Sequence, residues 1–162
     1  MRFTTRGRYA LRASLALAKL ENSGGPISIN SLSEMENISS VFLEQIFFKL
    51  RKAGLVSSIR GPGGGFRFAQ PLDKLTVKQI LDAAGEEINV TLCDKHSDSC
   101  ERVGECMSHH IWVEIHEVIK EYFSSITLAE IIDKYGGPHY TEGITRHDTS
   151  RRNPQTVSSA AE

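Results

Sequence analysis

Between about 7 and 22 the chain is dense in good helix formers, with Tyr9, Ala10, Leu11, Ala13, Leu15, Ala16, Leu17 and Leu20. The run Asn22-Ser23-Gly24-Gly25-Pro26 closes it. Ser28 is placed to cap a second, short helix through Met35, with Ile29, Leu32 and Met35 on its inner face. The turn Glu36-Asn37-Ile38-Ser39 follows, and Ser39 can cap a third helix to about Ala53, with Gly54 where a left-handed residue ends it. Along this third helix Leu43, Ile46, Phe47 and Leu50 fall at i, i+3, i+4 and i+7, a core-facing stripe. Two helices joined by a short turn predict a helix-turn-helix. Leu55-Val56-Ser57-Ser58-Ile59-Arg60 and Phe66-Arg67-Phe68-Ala69 then read as two strands around Gly61-Pro62-Gly63-Gly64-Gly65. The expected fold is mainly α with a small β-wing, a winged helix-turn-helix.

Thr76 can cap a fourth helix through Ala84, ended by Gly85. Residues 86–105 are polar and read as a loop. A long helix is expected from about 107 to 124, with one apolar stripe of Ile111, Ile115, Val118 and Tyr122 and an offset one of Trp112, Ile119 and Phe123. A helix apolar on two faces needs two coverings: its own domain, and a twin helix across a two-fold axis. Thr127 can cap a last helix, 128–134. The division expected is a DNA-binding domain 1–85, a loop 86–106, a dimerisation helix with a short C-terminal helix 107–135, and a disordered tail 136–162 poor in residues to bury.

Composition adds bounds. With 162 residues, 40% hydrophobic and 24% charged, the chain can form one compact domain with an appendage. It has no apolar run long enough for a membrane span, and its first residues lack the apolar stretch of a signal peptide, so a cytoplasmic location is expected. The net charge of −1 hides an asymmetry: residues 1–70 hold ten Lys/Arg against four acids, +6, leaving nine against sixteen, −7, for the rest. A basic half joined to an acidic half suits a nucleic-acid-binding domain with a second, non-binding part.

A winged helix places the N-terminal half of its recognition helix in the major groove. Its outward residues here are Val41, Glu44, Gln45 and Phe48, with Phe42 beside them. Gln45 can pair with an adenine edge and Glu44 can accept from cytosine. Lys49 and Lys52, further along, are expected at phosphates. Arg60 stands before the glycine turn, where a guanidinium can enter a narrow minor groove, and Gly61 and Gly63 allow close backbone approach. The glycine run lacks the Lys-Ser/Thr of a nucleotide-phosphate loop and leads into a strand, which removes that reading. An enzyme has neither a substrate-pocket motif nor a second cofactor signature to support it.

All three cysteines lie in one seventeen-residue segment with a histidine: Cys93, Cys100, Cys106 and His109, separated by six, five and two residues. Thiolates and an imidazole suit a thiophilic metal or an iron–sulfur cluster. Cys106 and His109, at i and i+3 near a helix start, share a face, and the helix dipole favours a thiolate there. His96, His110 and His116 are rival imidazoles. A structural zinc site lacks its usual paired short spacings here, and the polar neighbours Asp94, Glu101 and Glu105 argue against unliganded, buried thiols. Iron–sulfur ligation by widely spaced cysteines fits better.

These features together resemble the family of small bacterial winged-helix iron–sulfur transcription regulators. The likeness is carried by Met1-Arg2-Phe3-Thr4-Thr5-Arg6-Gly7-Arg8-Tyr9-Ala10, Phe42-Leu43-Glu44-Gln45, Leu50-Arg51-Lys52-Ala53-Gly54-Leu55-Val56, Arg60-Gly61-Pro62-Gly63-Gly64-Gly65-Phe66 and the three cysteines, over about residues 1–135. It implies a homodimer on palindromic promoter DNA, with one [2Fe–2S] cluster per subunit held by three cysteines and His109. It further implies control of iron–sulfur assembly genes, Arg60 as the wing arginine, and Glu44 as an acid linked to promoter choice. Two departures stand out: a Cys93–Cys100 spacing one residue longer than in the nearest relatives, and Val41 where a polar residue is usual. The first admits a relative sensing nitric oxide or iron through a [4Fe–4S] cluster. Such relatives generally lack the histidine, and some carry an acid near position 8, where this chain has Arg8.

Overall fold

The computed structural model describes residues 3–21, 24–91 and 105–136. In chain order the elements are α1 (Thr5–Glu21), α2 (Ile29–Glu36), α3 (Ser40–Lys52), β1 (Val56–Ile59), β2 (Gly65–Phe68), a 3-10 turn (Leu72–Lys74), α4 (Val77–Ala84), α5 (Met107–Ser125) and α6 (Leu128–Tyr135). This is the winged helix-turn-helix expected. Cys93, Cys100 and nearly all of the expected tail fall outside the described residues.

The core forms around α1, whose buried face is mostly alanine: Ala10, Ala13, Ala16 and Ala18, with Leu17. Small side chains let α2, α3, α4, β2 and α6 all pack against this one helix. Leu43, Ile46, Phe47 and Leu50 of α3 are buried, as their spacing requires, and Phe47 lies 5.0 Å centroid to centroid from Phe66 of the wing. α1 starts at Thr5, two residues before the expected Gly7, because Glu86 caps it. The Thr4 amide donates to Glu86 Oε1 at 2.9 Å, the Thr4 hydroxyl to Glu86 Oε2, and the Gly7 amide to the Thr4 hydroxyl at 3.1 Å. Glu86 is buried, and a Cβ on Gly7 would overlap its carboxylate. A buried carboxylate at a helix N-terminus is stabilised by the amides it accepts from and by the dipole.

The wing pairs Val56 with Phe68, Ser57 with Arg67, Ser58 with Phe66 and Ile59 with Gly65, antiparallel. A third stretch joins it: Ile27 exchanges both backbone bonds with Phe66, at 2.9 and 2.8 Å. Gly65 is required there, since a Cβ would strike the Ile27 carbonyl.

Five helix ends follow the cap signals, Gly54 among them at φ +74 just past α3, and one does not. The Ser28 hydroxyl accepts from the Ser31 amide, Thr76 and Thr127 both form full capping boxes, and Gly85 ends α4 at φ +81. Ser39 does occupy the cap of α3, but its hydroxyl makes no cap bond; its carbonyl instead accepts from Leu43, at 3.0 Å. The two capping boxes sit side by side: Val77 donates to the Ile126 carbonyl at 3.0 Å and Leu128 to the Leu75 carbonyl at 2.8 Å. That bridge returns the chain after α5 to the winged helix, where Leu128 is buried.

α5 differs from every other long helix, since none of its 19 residues is buried. Ile119 and Phe123 are half-buried, and Phe123 meets Phe3 edge-on at 5.9 Å, so this part of the second stripe covers the chain's own domain. Trp112, expected with them, is exposed, as are Ile111, Ile115, Val118 and Tyr122. Two-sided burial of α5 is therefore not reached among the described residues.

Candidate nucleic-acid interface and metal centre

The outer face of α3 carries Val41, Glu44, Gln45 and Phe48, all exposed. Its aim is set by the α2–α3 turn. Asn37 adopts a left-handed φ of 51, the Ser33 hydroxyl donates to the Ile38 carbonyl at 2.6 Å, and Arg12 of α1 grips the end of α2. Arg12 Nε donates to Glu36 Oε2 at 3.0 Å, Nη2 lies 2.9 Å from the same oxygen, and Nη2 donates to the Glu36 carbonyl at 2.8 Å. Glu36 is buried, and among the described residues its Oε1 has no hydrogen-bond partner, so the turn depends on Arg12 for its compensation. Nothing in the spacing of residues 24 apart marks this pair in advance.

Two of the expected DNA-facing residues are placed otherwise. Phe42 is one residue on from Val41, hence rotated by about 100° around the helix. It packs against the core with its ring edge-on to Tyr9 at 5.8 Å. Lys49 was expected at phosphates, but its ammonium donates to the Ala84 carbonyl at 3.1 Å, at the C-terminus of α4 where exposed carbonyls favour a cation. The exposed cations of this end of α3 are Arg51 and Lys52. Arg51, which the sequence reading left without a role, lies over the Phe48 ring at 5.7 Å and donates to Ser58 Oγ at 3.2 Å, tying α3 to the wing. Arg60, Gly61 and Gly63 are exposed at the wing tip. There the chain turns through Gly61 at φ +103, and the Gly64 amide closes on the Gly61 carbonyl at 2.9 Å. A shallow groove of about 410 Å³ opens between α1 and α3, walled by Tyr9, Ile38, Val41, Phe42 and Gln45.

At the other candidate site Cys106 is the N-cap of α5 and accepts the His109 amide on its carbonyl at 3.0 Å. Its Sγ lies 3.1 Å from Ser108 Oγ. His109 is half-buried, and its Nδ1 is buried without a hydrogen-bond partner among the described residues. A buried ring nitrogen left unpaired is costly, and bonding to a metal removes that cost. The donor set at the head of α5, one sulfur and one imidazole a helical turn apart, fits an iron–sulfur or zinc centre. His110 is exposed, with its ring 5.9 Å from that of His109. Among the described residues no three His, Cys, Asp or Glu side chains converge on one point, and the remaining expected ligands, Cys93 and Cys100, lie outside those residues.

No described helix is long and apolar enough to cross a membrane. Comparison with known proteins agrees with the fold. The Rrf2 family, described as iron-dependent transcriptional regulators, matches residues 3–134. The HTH-type transcriptional regulator IscR of Erwinia tasmaniensis is 38% identical over 133 residues, 82% of this chain and 79% of that one. Among solved structures, CymR, the global cysteine regulator of B. subtilis, superposes with a TM-score of 0.69 at 30% identity, covering 83% of this chain and 98% of that one. T. potens IscR gives 0.65 at 28% identity, covering 83% and 88%. With its reading helix, wing and family match, this chain belongs to the Rrf2 family of DNA-binding transcription regulators and is not an enzyme.

Proposed function

We propose that this regulator is a homodimer carrying one [2Fe–2S] cluster per subunit on Cys93, Cys100, Cys106 and His109. Cluster occupancy would select which palindromic promoters of iron–sulfur assembly genes it binds. The observation that carries the reading is the buried Nδ1 of His109, without a hydrogen-bond partner among the described residues and one turn from Cys106 at the head of α5. When bound, a cluster supplies a link present only while iron and sulfide are available and oxidation is limited. Cys106 and His109 would hold it on α5, and the two upstream cysteines would join the segment after Glu86 to the same helix. The exposed stripe Ile111, Ile115, Val118 and Tyr122 supports pairing with a second α5, which would fix the spacing of the two α3 helices on DNA. Lys52, Arg51 and Arg60 supply phosphate and minor-groove contacts, and Glu44 and Gln45 read base edges.

The test is a visible spectrum of protein purified without oxygen, with iron and acid-labile sulfide analysis, on wild type and His109→Ala. About two irons and two sulfides per subunit are expected for the wild type. The variant should show an altered spectrum and lower iron while keeping its helical content and oligomeric state. Colourless protein with stoichiometric zinc would overturn the assignment.

A second reading draws on the CymR likeness, which among solved structures is as strong as that to T. potens IscR. On it, the chain regulates transcription in response to a signal other than a cluster, with zinc as a structural metal. Chelators would then unfold the protein without any change in visible absorption.

A further inference from the structure

We propose that Val41 reads the C5-methyl group of a thymine at one fixed position in each half-site of the operator. The inference rests on the DNA-reading part of the function above and not on the cluster. Val41 lies in the first turn of α3 and is 63% exposed, the most exposed large apolar side chain of the winged-helix body. A valine has no hydrogen bond to offer a base edge. In the major groove the apolar feature it can meet is the thymine methyl.

Three observations place that methyl at Val41 rather than elsewhere on the helix. Phe48, the other exposed apolar residue on the outer face, already carries the Arg51 guanidinium on its ring. Phe42 is turned toward Tyr9. Val41 instead forms the rim of the α1–α3 groove, beside Gln45 one turn further along the helix. Glutamine pairs with adenine N6 and N7, and the partner of that adenine is a thymine whose methyl projects into the same groove. Val41 and Gln45 therefore form a mixed reader, apolar toward thymine and polar toward adenine, and A·T pairs satisfy both. The charge around the groove fits the same occupant, since Arg8, Arg51 and Lys52 are exposed near it and a nucleic-acid backbone is a polyanion.

Removing one buried methyl contact should weaken binding about four-fold, and removing it from both half-sites about sixteen-fold. The full-length protein would first select duplexes from a randomised pool. Each thymine of the selected sequence would then be replaced by deoxyuridine, which lacks only the methyl, at symmetric positions in both half-sites. Wild type should lose about sixteen-fold at one such position, and Val41→Ser should bind the thymine and deoxyuridine duplexes alike. Val41→Thr, which keeps one methyl, should retain part of the difference. An unchanged unfolding midpoint for these exposed-site variants would show that folding is intact. If no position is sensitive, or the sensitive position stays so in Val41→Ser, the proposal is wrong. If no duplex is enriched at all, both it and the DNA reading of α3 fail. Protein that is iron-free even when purified without oxygen, yet still shows the valine-dependent thymine effect, would remove the cluster assignment and leave this one standing.

Discussion

The apolar residues of α3 and α5 follow the same helical spacing, but the inner stripe of α3 is buried whereas the first stripe of α5 finds no cover among the described residues. Leu43, Ile46, Phe47 and Leu50 disappear between α1, α2, α4 and the wing. Ile111, Ile115, Val118 and Tyr122 stay in solvent, with Val118 63% exposed, although their helix is the longer one. Periodicity identifies which face of a helix is apolar, and the surrounding chain decides what covers it. In α3 the covering comes from residues on both sides of it in sequence. For the first stripe of α5 no such cover is found among the described residues, so the two helices are expected to respond differently to the loss of an apolar side chain.

The comparison can be broken most forcefully in the core. Phe47→Ala should cost about 4 kcal/mol, because it leaves a cavity against Phe66 and α1 that the alanine-lined packing cannot close. Urea unfolding measures it, and a loss well under half that size would mean that the winged helix is loosely packed. Val118→Glu should do the reverse, leaving the unfolding of a single chain almost unchanged while weakening self-association about 100-fold, roughly 3 kcal/mol. Sedimentation equilibrium reads this directly, and an unchanged association constant would show that this stripe is not the seam.

Smaller effects sharpen the boundary between the two regions. Thr76→Ala removes one of the paired capping boxes where α4 and α6 meet and should cost about 1 kcal/mol in thermal or urea unfolding. The companion box contributes a pH dependence. Glu130 has its pKa lowered, first by the Thr127 backbone amide and then by the Thr127 hydroxyl. Its contribution is therefore full above the ordinary carboxylate range and is lost as pH falls through the lowered value in the folded state. Relative to wild type, Glu130→Gln should be less stable at neutral pH, and the difference should shrink in acid. Urea midpoints across that range test the sign, and a difference growing toward low pH would contradict it.

Much of the reading head was visible in advance because its signals are local. The spacing of Leu43 to Leu50, the Thr76 and Thr127 caps, and the glycine run between the strands each act within a few residues of themselves. What escaped was contact between distant positions: Arg12 with Glu36, Lys49 with the end of α4, Ile27 with Phe66, and Glu86 with Thr4. No periodicity encodes such pairs. Lys49 shows the consequence, since its position along the recognition helix suggested a phosphate contact, whereas the carbonyls of a neighbouring helix claim its charge. Phe42 is half-buried for a different reason: it is one residue on from Val41 and so lies about 100° further around the helix. Of the four proposed metal ligands, three cysteines and a histidine, the described structure brings together only Cys106 and His109.

Glu86 gives the molecule a lever. It is the first residue beyond the glycine that ends α4, and its side chain is fastened beneath the start of α1 by the Thr4 amide and hydroxyl. The chain at Glu86 is therefore anchored at two points, on α1 through its carboxylate and on α4 through its amide, which donates to the Leu81 carbonyl at 2.9 Å. α1 in turn holds the corner between α2 and α3 through Arg12. From Glu86 to the corner between α2 and α3 the path thus runs through a few polar contacts, Glu86 with Thr4 and Arg12 with Glu36, rather than through the apolar interior.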